Sequence, residues 1–257
     1  MILINKRRTT TSLARRPTYL ARLARSADEV RAAQRLRFEV FNLELNEGLA
    51  ESHFTGLDID PFDVVCQHLV VEHVATGEIV GTYRLQTGEC AAANIGYYSE
   101  REFDFAPYES LRSQMIELGR ACVHVDHRNF NLLHLLWRGI ANYALEHNAR
   151  FLVGCSSLTS QDSSEGMAMY RQLGDKFLIR SKWRTVPHPP FRCDVDIAGS
   201  AGAPPKLMRA YLAIGAKICG PPALDREFGT IDFLTLLDLH TMPAIVRAHF
   251  FKCRHLL

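Results

Sequence analysis

Long apolar runs are missing from this chain. A bilayer-spanning helix needs about 20 consecutive apolar residues. The longest largely apolar stretches, Leu132–Trp137 and Phe233–Leu239, fall far short of that. The opening segment, MILINKRRTTTSLARRPTYLARLARS, has no apolar core and no small-residue cleavage site, so it does not read as a secretory signal. It is rich in Arg, Ser and Thr and poor in acids, a composition shared with organelle transit peptides. Paired cysteine motifs are missing too. The 7 cysteines are odd in number, widely spaced and lack a C-x-x-C. That excludes a disulfide framework and predicts reduced thiols in a cytosol. No G-x-S-x-G surrounds a serine, so Gly154-Cys155-Ser156-Ser157 reads as a strand end, not a nucleophile elbow. His124 and His127 flank Asp126, but no third ligand is spaced to join them, and no metal site is expected. Internal repeats and clear linkers are likewise lacking.

What remains is an ordinary globular composition: 257 residues, 47 % apolar and 23 % charged. The net charge of +2 is unevenly spread. Residues 1–37 hold 10 Lys/Arg against 2 acids, a local +8, which leaves −6 on the other 220 residues. We expect a basic, flexible arm over residues 1–18 and a single domain with a C-terminal extension over 19–257. Such an arm can meet anionic lipid, nucleic acid or an acidic protein, or simply serve as a solubilising tail.

Ser26-Ala-Asp-Glu29 is a capping-box pattern, and Val30, Ala33, Arg37, Val40 and Phe41 follow at helical steps, so a helix is predicted from Ala27 to Leu45. His68–Val74 and Ile79–Leu85 flank the turn Ala75–Glu78 as an antiparallel hairpin. Residues 87–114 read as irregular. Met115–Val123 reads as a central strand and Arg128–His147 as a long helix. Phe151–Cys155 is a strand of the kind buried on both faces. Ser163–Leu173 is a helix closed by Gly174, and residues 186–205 form a Pro-rich loop. Lys206–Ala213, Thr230–Leu239 and Pro243–Phe251 complete the order as helix, strand and helix. This order predicts an α/β architecture, one mixed sheet flanked by helices.

Four charged features stand out. Arg37 and Phe41 share a helix face through a four-residue step. Asp58, Asp60 and Asp63 cluster before the first hairpin strand. Arg84 interrupts an apolar strand, and Glu117 and Arg120 lie on the central one. A charge buried there needs a partner, because burial without one costs several kcal/mol. The plain structural alternative is an Arg84–Glu117 ion pair between neighbouring strands.

In this order, R-x-x-x-F, D-x-x-D, a hairpin Arg and E-x-x-R, the features resemble the autoinducer-synthase branch of the N-acetyltransferase-like (GNAT) superfamily. The runs IELGRACVHVDHR, LLWRGIANYALEH, GCSSL and PPKLMRAYLAIGAKICGPPALDREFGTIDF are similar to the ornithine Nα-acyltransferases of lipid synthesis. The resemblance spans roughly residues 19–250. It implies a GNAT-like, autoinducer-synthase-like fold: a mixed, mostly antiparallel twisted sheet, flanking helices and a splayed central strand pair, here Met115–Val123 and Phe151–Cys155. One departure stands out. Acetyltransferases of this superfamily carry Q/R-x-x-G-x-G/A after the central strand, where this chain has Asp126-His127-Arg128-Asn129-Phe130-Asn131, without glycine. A single phosphate at the helix start, assisted by Arg128, suits a 4'-phosphopantetheine arm on acyl carrier protein better than free CoA.

The function implied is transfer of a (3-hydroxy)fatty acyl group from acyl carrier protein to the α-amine of ornithine, giving lyso-ornithine lipid, with no resident cofactor. Glu117 is the expected general base. Arg120 either pairs with Glu117 or positions the donor. Arg84 is expected to bind the amino-acid carboxylate, and Asp60 or Asp63 the distal ammonium. Arg37 and Phe41 join them as substrate-binding residues. Arg101, Arg112, Arg128, Arg138 and the basic arm are expected to dock the acidic carrier protein. A cytoplasmic location, peripheral contact with the inner membrane and no nucleic-acid partner complete the expectation. The alternatives are an N-acyl amino acid or N-acyl-homoserine lactone signal synthase, and a non-enzymatic membrane-binding protein using the arm and the tail Ala244–Leu257.

Overall fold

The computed structural model describes residues 18–195 and 201–251, so the basic arm, apart from Thr18, lies outside the described residues, as do Cys253 and the end of the tail. Alternating and continuous apolar runs build the strands β1 (Tyr19–Leu23), β2 (Gln67–His73), β3 (Glu78–Thr87), β4 (Met115–Val123), β5 (Phe151–Leu158), β6 (Lys217–Ile218), β7 (Ala223–Asp225) and β8 (Thr230–Asp238). They form one sheet in the order β1-β2-β3-β4-β5-β8-β6, with β7 also on β8. Every pairing is antiparallel except β4 with β5.

The helices are α1 (Ala27–Phe38), α2 (Ser52–Thr55), α3 (Gly88–Ala93), α4 (Phe130–Glu146), α5 (Ser163–Phe177), α6 (Lys206–Ala213) and α7 (Ala244–Phe250). Ser26 caps α1, its Oγ accepting from the Glu29 N–H. Glu29 does not return the bond to Ser26. It accepts instead from the Arg25 N–H and from Arg22, which also reaches Glu72 on β2. Those contacts anchor β1, a strand too short and irregular to stand out in the sequence. The helix predicted to Leu45 leaves α geometry at Phe38 and continues as a π-helical stretch over Glu39–Glu44, with Leu45 N–H bonded to the Val40 carbonyl. α4 starts two residues later than predicted because Asn129 caps it, accepting from Leu132 N–H. Within Ser163–Phe177, Gly174 leaves helical geometry at φ 50°, so the first helical segment of α5 closes where the sequence predicted and a short second one follows across the kink.

Leu132, Leu136, Trp137 and Ile140 of α4 pack on Leu69, Val71, Tyr83, Leu85 and Ile116 of the sheet. The two-residue alternation of strands then directs Arg84, Gln86 and Glu117 to the opposite face, where α1 packs. The charged residues of β3 and β4 are therefore gathered on one side of a sheet whose other side is sealed by α4.

Candidate active site

β4 and β5 pair for only three residues, Met115↔Phe151, Ile116↔Leu152 and Glu117↔Val153. Beyond them the strands separate, so the inner edges of Leu118–Val123 and of Gly154–Leu158 no longer pair with each other. Gly154 sits at the apex. A Cβ there would lie 2.2 Å from the Leu118 carbonyl oxygen, so only glycine allows the backbones to touch before they part. On its other side β4 carries a bulge, where Arg120 and Ala121 face Tyr83 alone. Arg120 has φ 51°, the left-handed region that a non-glycine residue occupies at a cost. This strand separation is the splay expected between Met115–Val123 and Phe151–Cys155.

The gap opens into a cavity of about 820 Å³. Its walls include Glu117–Val123 of β4, Cys155–Ser157 of β5, Leu133 and Leu136 of α4, and Leu207 and Met208 of α6. Phe41, Glu47, Arg84, Tyr98, Ser99, Arg128, Lys206, Phe228 and Asp232 are also among them. The wall is thus largely apolar on the α4 and α6 side, where Lys206 is the exception, and polar toward α1.

Glu117 is nearly fully buried. Its Oε2 accepts from Tyr98 N–H at 2.8 Å, and its Oε1 from Ser99 N–H at 2.8 Å and Ser99 Oγ at 2.5 Å. Burial pushes its carboxyl above the ordinary value, and the Ser99 and Tyr98 donors only partly offset that. The plain alternative of an Arg84–Glu117 pair is not what forms. Arg84 Nη1 holds Asp60 at 2.5 Å and Asp63 at 3.0 Å. Arg120 pairs with Asp60 at 2.9 Å and Asp58 at 3.2 Å, not with Glu117. Its guanidinium lies over Phe228 and Tyr98, 4.4 and 4.8 Å from the ring centroids.

Arg37 is fully buried behind this wall. Nε meets Asp58 at 2.7 Å, and Nη2 meets Asp63 at 2.6 Å and the Asp58 carbonyl at 2.5 Å. Three arginines and three aspartates thus form one network. Desolvation works against ionised Asp60 and Asp63, but the flanking arginines outweigh it and hold both carboxyls below their usual range. Neither Asp60 nor Asp63, the residues expected to take an ammonium, lines the cavity, and both are occupied by arginines. Phe41 does line it, edge-on to Phe228 at 5.3 Å. Arg128 is at the wall, held by Glu44 through both Nη atoms and donating Nε to the Val123 carbonyl. Of the arginines expected to dock a carrier, Arg101 and Arg112 also have carboxylate partners, Glu227 and Glu100.

Other polar residues at the site escaped the sequence reading. Ser99 and the Tyr98 backbone come from the stretch read as irregular, which folds as short 3₁₀ turns over Tyr98–Arg101 and Ala106–Gln114. Asp232 carries the same signal as Glu117, an acid within an apolar strand, and that signal was present in TIDFLTLL. Nothing in the sequence marks Glu102, which the fold places so that its carboxylate, Cys155 Sγ and an Asp232 oxygen lie within 4.8 Å of one another. Such a group could hold a cation. The six described cysteines are all free thiols.

A sheet split at its centre, with a buried carboxylate beside a deep, largely apolar cleft, defines an acyltransferase of the N-acetyltransferase-like class. The family model described as an acetyltransferase (GNAT) domain matches residues 36–138. The chain belongs to the L-ornithine N(alpha)-acyltransferase family. It is 32 % identical to the L-ornithine N(alpha)-acyltransferase of Agrobacterium fabrum over 241 residues, covering 88 % of this chain and 82 % of that one. With the enzyme of that name from Rhodobacter capsulatus the identity is 33 % over 237 residues, covering 88 % and 92 %. Among solved structures it resembles BjaI, a CoA-dependent acyl-homoserine lactone synthase, with TM-score 0.51 and 14 % identity over 88 % of this chain and 82 % of that one. FeeM, an N-acyl amino acid synthase from uncultured soil microbes, matches with TM-score 0.51 and 14 % identity over 87 % and 92 %. These two likenesses are of fold.

Proposed function

We propose that this acyltransferase moves a fatty acyl group from the phosphopantetheine thioester of acyl carrier protein to the α-amine of ornithine, giving lyso-ornithine lipid. The observation that carries the reading is the buried Glu117 carboxylate on the wall of a cleft between two strands with open edges. Support for the acceptor comes from the family. Support for a carrier-borne donor is the Gly-free segment Asp126–Asn131 beside a cleft whose strand edges can pair with pantetheine amides.

The neutral α-amine attacks the thioester carbonyl, and the C–N bond forms. Glu117 takes the amine proton, directly or through one water, and its raised proton affinity favours that role. The oxyanion is met by backbone N–H groups at the β4 bulge, around Arg120 and Ala121. Collapse breaks the C–S bond, and the departing thiolate takes the proton that Glu117 held. Arg84 uses only Nη1 for Asp60 and Asp63, so its remaining edge is assigned to the substrate carboxylate. Arg37, Asp58 and Asp63 position Arg84 and Arg120 without touching substrate. Phe41 walls the cleft, and Arg128 is assigned the donor phosphate, which must replace Glu44. The apolar wall of Leu133, Leu136 and Leu207 accepts the acyl chain. Contact with the membrane is peripheral, through the product and the basic arm.

The test is purified protein, 3-hydroxyacyl carrier protein and ornithine, read by mass spectrometry. An Nα-acylornithine is expected. Glu117→Gln is expected to lower kcat by roughly 10²–10⁴ with the unfolding midpoint preserved. Consumption of acetyl-CoA alone, with no acylornithine formed, overturns the reading.

A further inference from the structure

The arginine network leaves one acidic pocket without a cation. Asp232 on β8 lines the same cavity as Glu117 and is 4 % exposed. Glu102, 2 % exposed, lies just behind, with its carboxylate and Cys155 Sγ within 4.8 Å of an Asp232 oxygen. Asp232 Oδ1 accepts from Thr230 Oγ1 at 2.9 Å. Glu102 Oε2 has only a long contact with Cys155 Sγ at 3.9 Å, and its buried Oε1 has no hydrogen-bond partner. Among the described residues no Lys or Arg pairs with either carboxylate, whereas Asp58, Asp60 and Asp63 each have arginines. Burying such acids unpaired is costly. Burial first, then the neighbouring Asp225, pushes Asp232 up to about 6. Burial, then Asp232 and Asp225, raises Glu102 well above its ordinary value. A cation seated between them removes that penalty.

We propose that Asp232, backed by Glu102, seats the distal ammonium of the acceptor and so selects a diamino acid over one with a neutral side chain. This rests on the reading of the chain as an ornithine acyltransferase. Ser99 and Cys155 link the pocket to the reacting end by direct contact. Ser99 Oγ is 2.5 Å from Glu117 Oε1 and 3.6 Å from Cys155 Sγ. An acceptor with its α-amine at Glu117 reaches past them through the three methylenes of ornithine. An ammonium brings three donors to a pocket whose two carboxylates accept from the Thr230 hydroxyl and, at long range, from the Cys155 thiol. A divalent ion would draw on the Cys155 thiolate, which burial and the adjacent Glu102 strongly disfavour.

The test compares L-ornithine with L-norvaline, its neutral analogue, as acceptors for the full chain and for Asp232→Asn and Glu102→Gln, with one acyl carrier protein donor. Norvaline keeps the α-amine and carboxylate and ends in a methyl group. Wild type is expected to prefer ornithine. Asp232→Asn is expected to narrow the ratio of kcat/KM values by on the order of ten- to a hundred-fold, mostly through KM for ornithine. Glu102→Gln is expected to narrow it less. An equal loss for both amino acids, or an unchanged ratio in both variants, overturns the ammonium seat while leaving the acyltransferase reading intact. So does a stoichiometric divalent metal in purified wild type that disappears from Asp232→Asn. Absence of any acylornithine from wild type overturns both.

Discussion

Arg37 shows what a buried guanidinium does when its partners are already in place. Two carboxylates and a carbonyl occupy Nε and Nη2, and nothing in the cavity reaches it. Its fork geometry is matched to Asp58 and Asp63, which lysine cannot reproduce with one point charge. Arg37→Lys is therefore expected to lower stability by about 3 kcal/mol, the typical cost of breaking one side of a buried pair, as read by urea denaturation. In the sequence Arg37 looks like any charged helix residue. What distinguishes it is Asp58 and Asp63, which are 21 and 26 residues away. Glu117 differs, because an acid among apolar strand residues announces a buried charge before any coordinates are known. Asp232 carries the same signal, an acid within TIDFLTLL, although the sequence reading passes over it.

The pair β4–β5 owes its opening to a few local choices. The bulge at Arg120 turns β4 away after three paired residues, and Gly154 lets β5 touch the Leu118 carbonyl at the apex. Gly154→Ala places a Cβ against backbone that cannot rotate away. It is expected to cost roughly 1–3 kcal/mol in urea unfolding and to lower kcat as the cleft shifts. The strands and long helices were legible because their apolar periods are strong. α6 lies at its expected residues, Lys206–Ala213, and β4 at Met115–Val123. β1, β6 and β7 were not legible. Each is five residues or fewer, and each exists only because a longer neighbour offers an open edge. The π-helical stretch after Phe38 was equally hidden, since periodicity cannot tell a 3.6-residue turn from a slightly wider one over six residues.

Across the molecule two sets of buried acids pull stability in opposite directions with pH. Asp60 and Asp63 have carboxyls held below the ordinary 3.8, so their contribution is present above that value and lost as pH falls through their folded-state values. Glu102, Glu117 and Asp232 have raised carboxyls. Their contribution is present below the unfolded values and lost as pH rises, for Asp232 between 3.8 and about 6. Thermal unfolding without substrate is therefore expected to give a higher midpoint at pH 5.5 than at pH 8, with a steep fall in strong acid. Glu102→Gln cannot ionise, so its midpoint is expected to exceed that of wild type at pH 8 and to converge with it toward pH 4. A wild-type midpoint that climbs steadily from pH 5 to pH 8 would contradict this assignment of buried acids with raised carboxyls.

By itself the sequence determined the order of the longer strands and helices, the mixed sheet and the family, because periodicity and motif order are properties of the chain read locally. It also marked Arg84 and Glu117 as charges that need a partner if buried. Which acid meets which arginine was decided only by tertiary structure. A strand's faces are set by register, and register by partners far away in the chain. The same is true of the acidic pocket: Glu102 belongs to a turn, and Cys155 and Asp232 to the antiparallel neighbours β5 and β8, and only folding brings the two carboxylates and the thiol together.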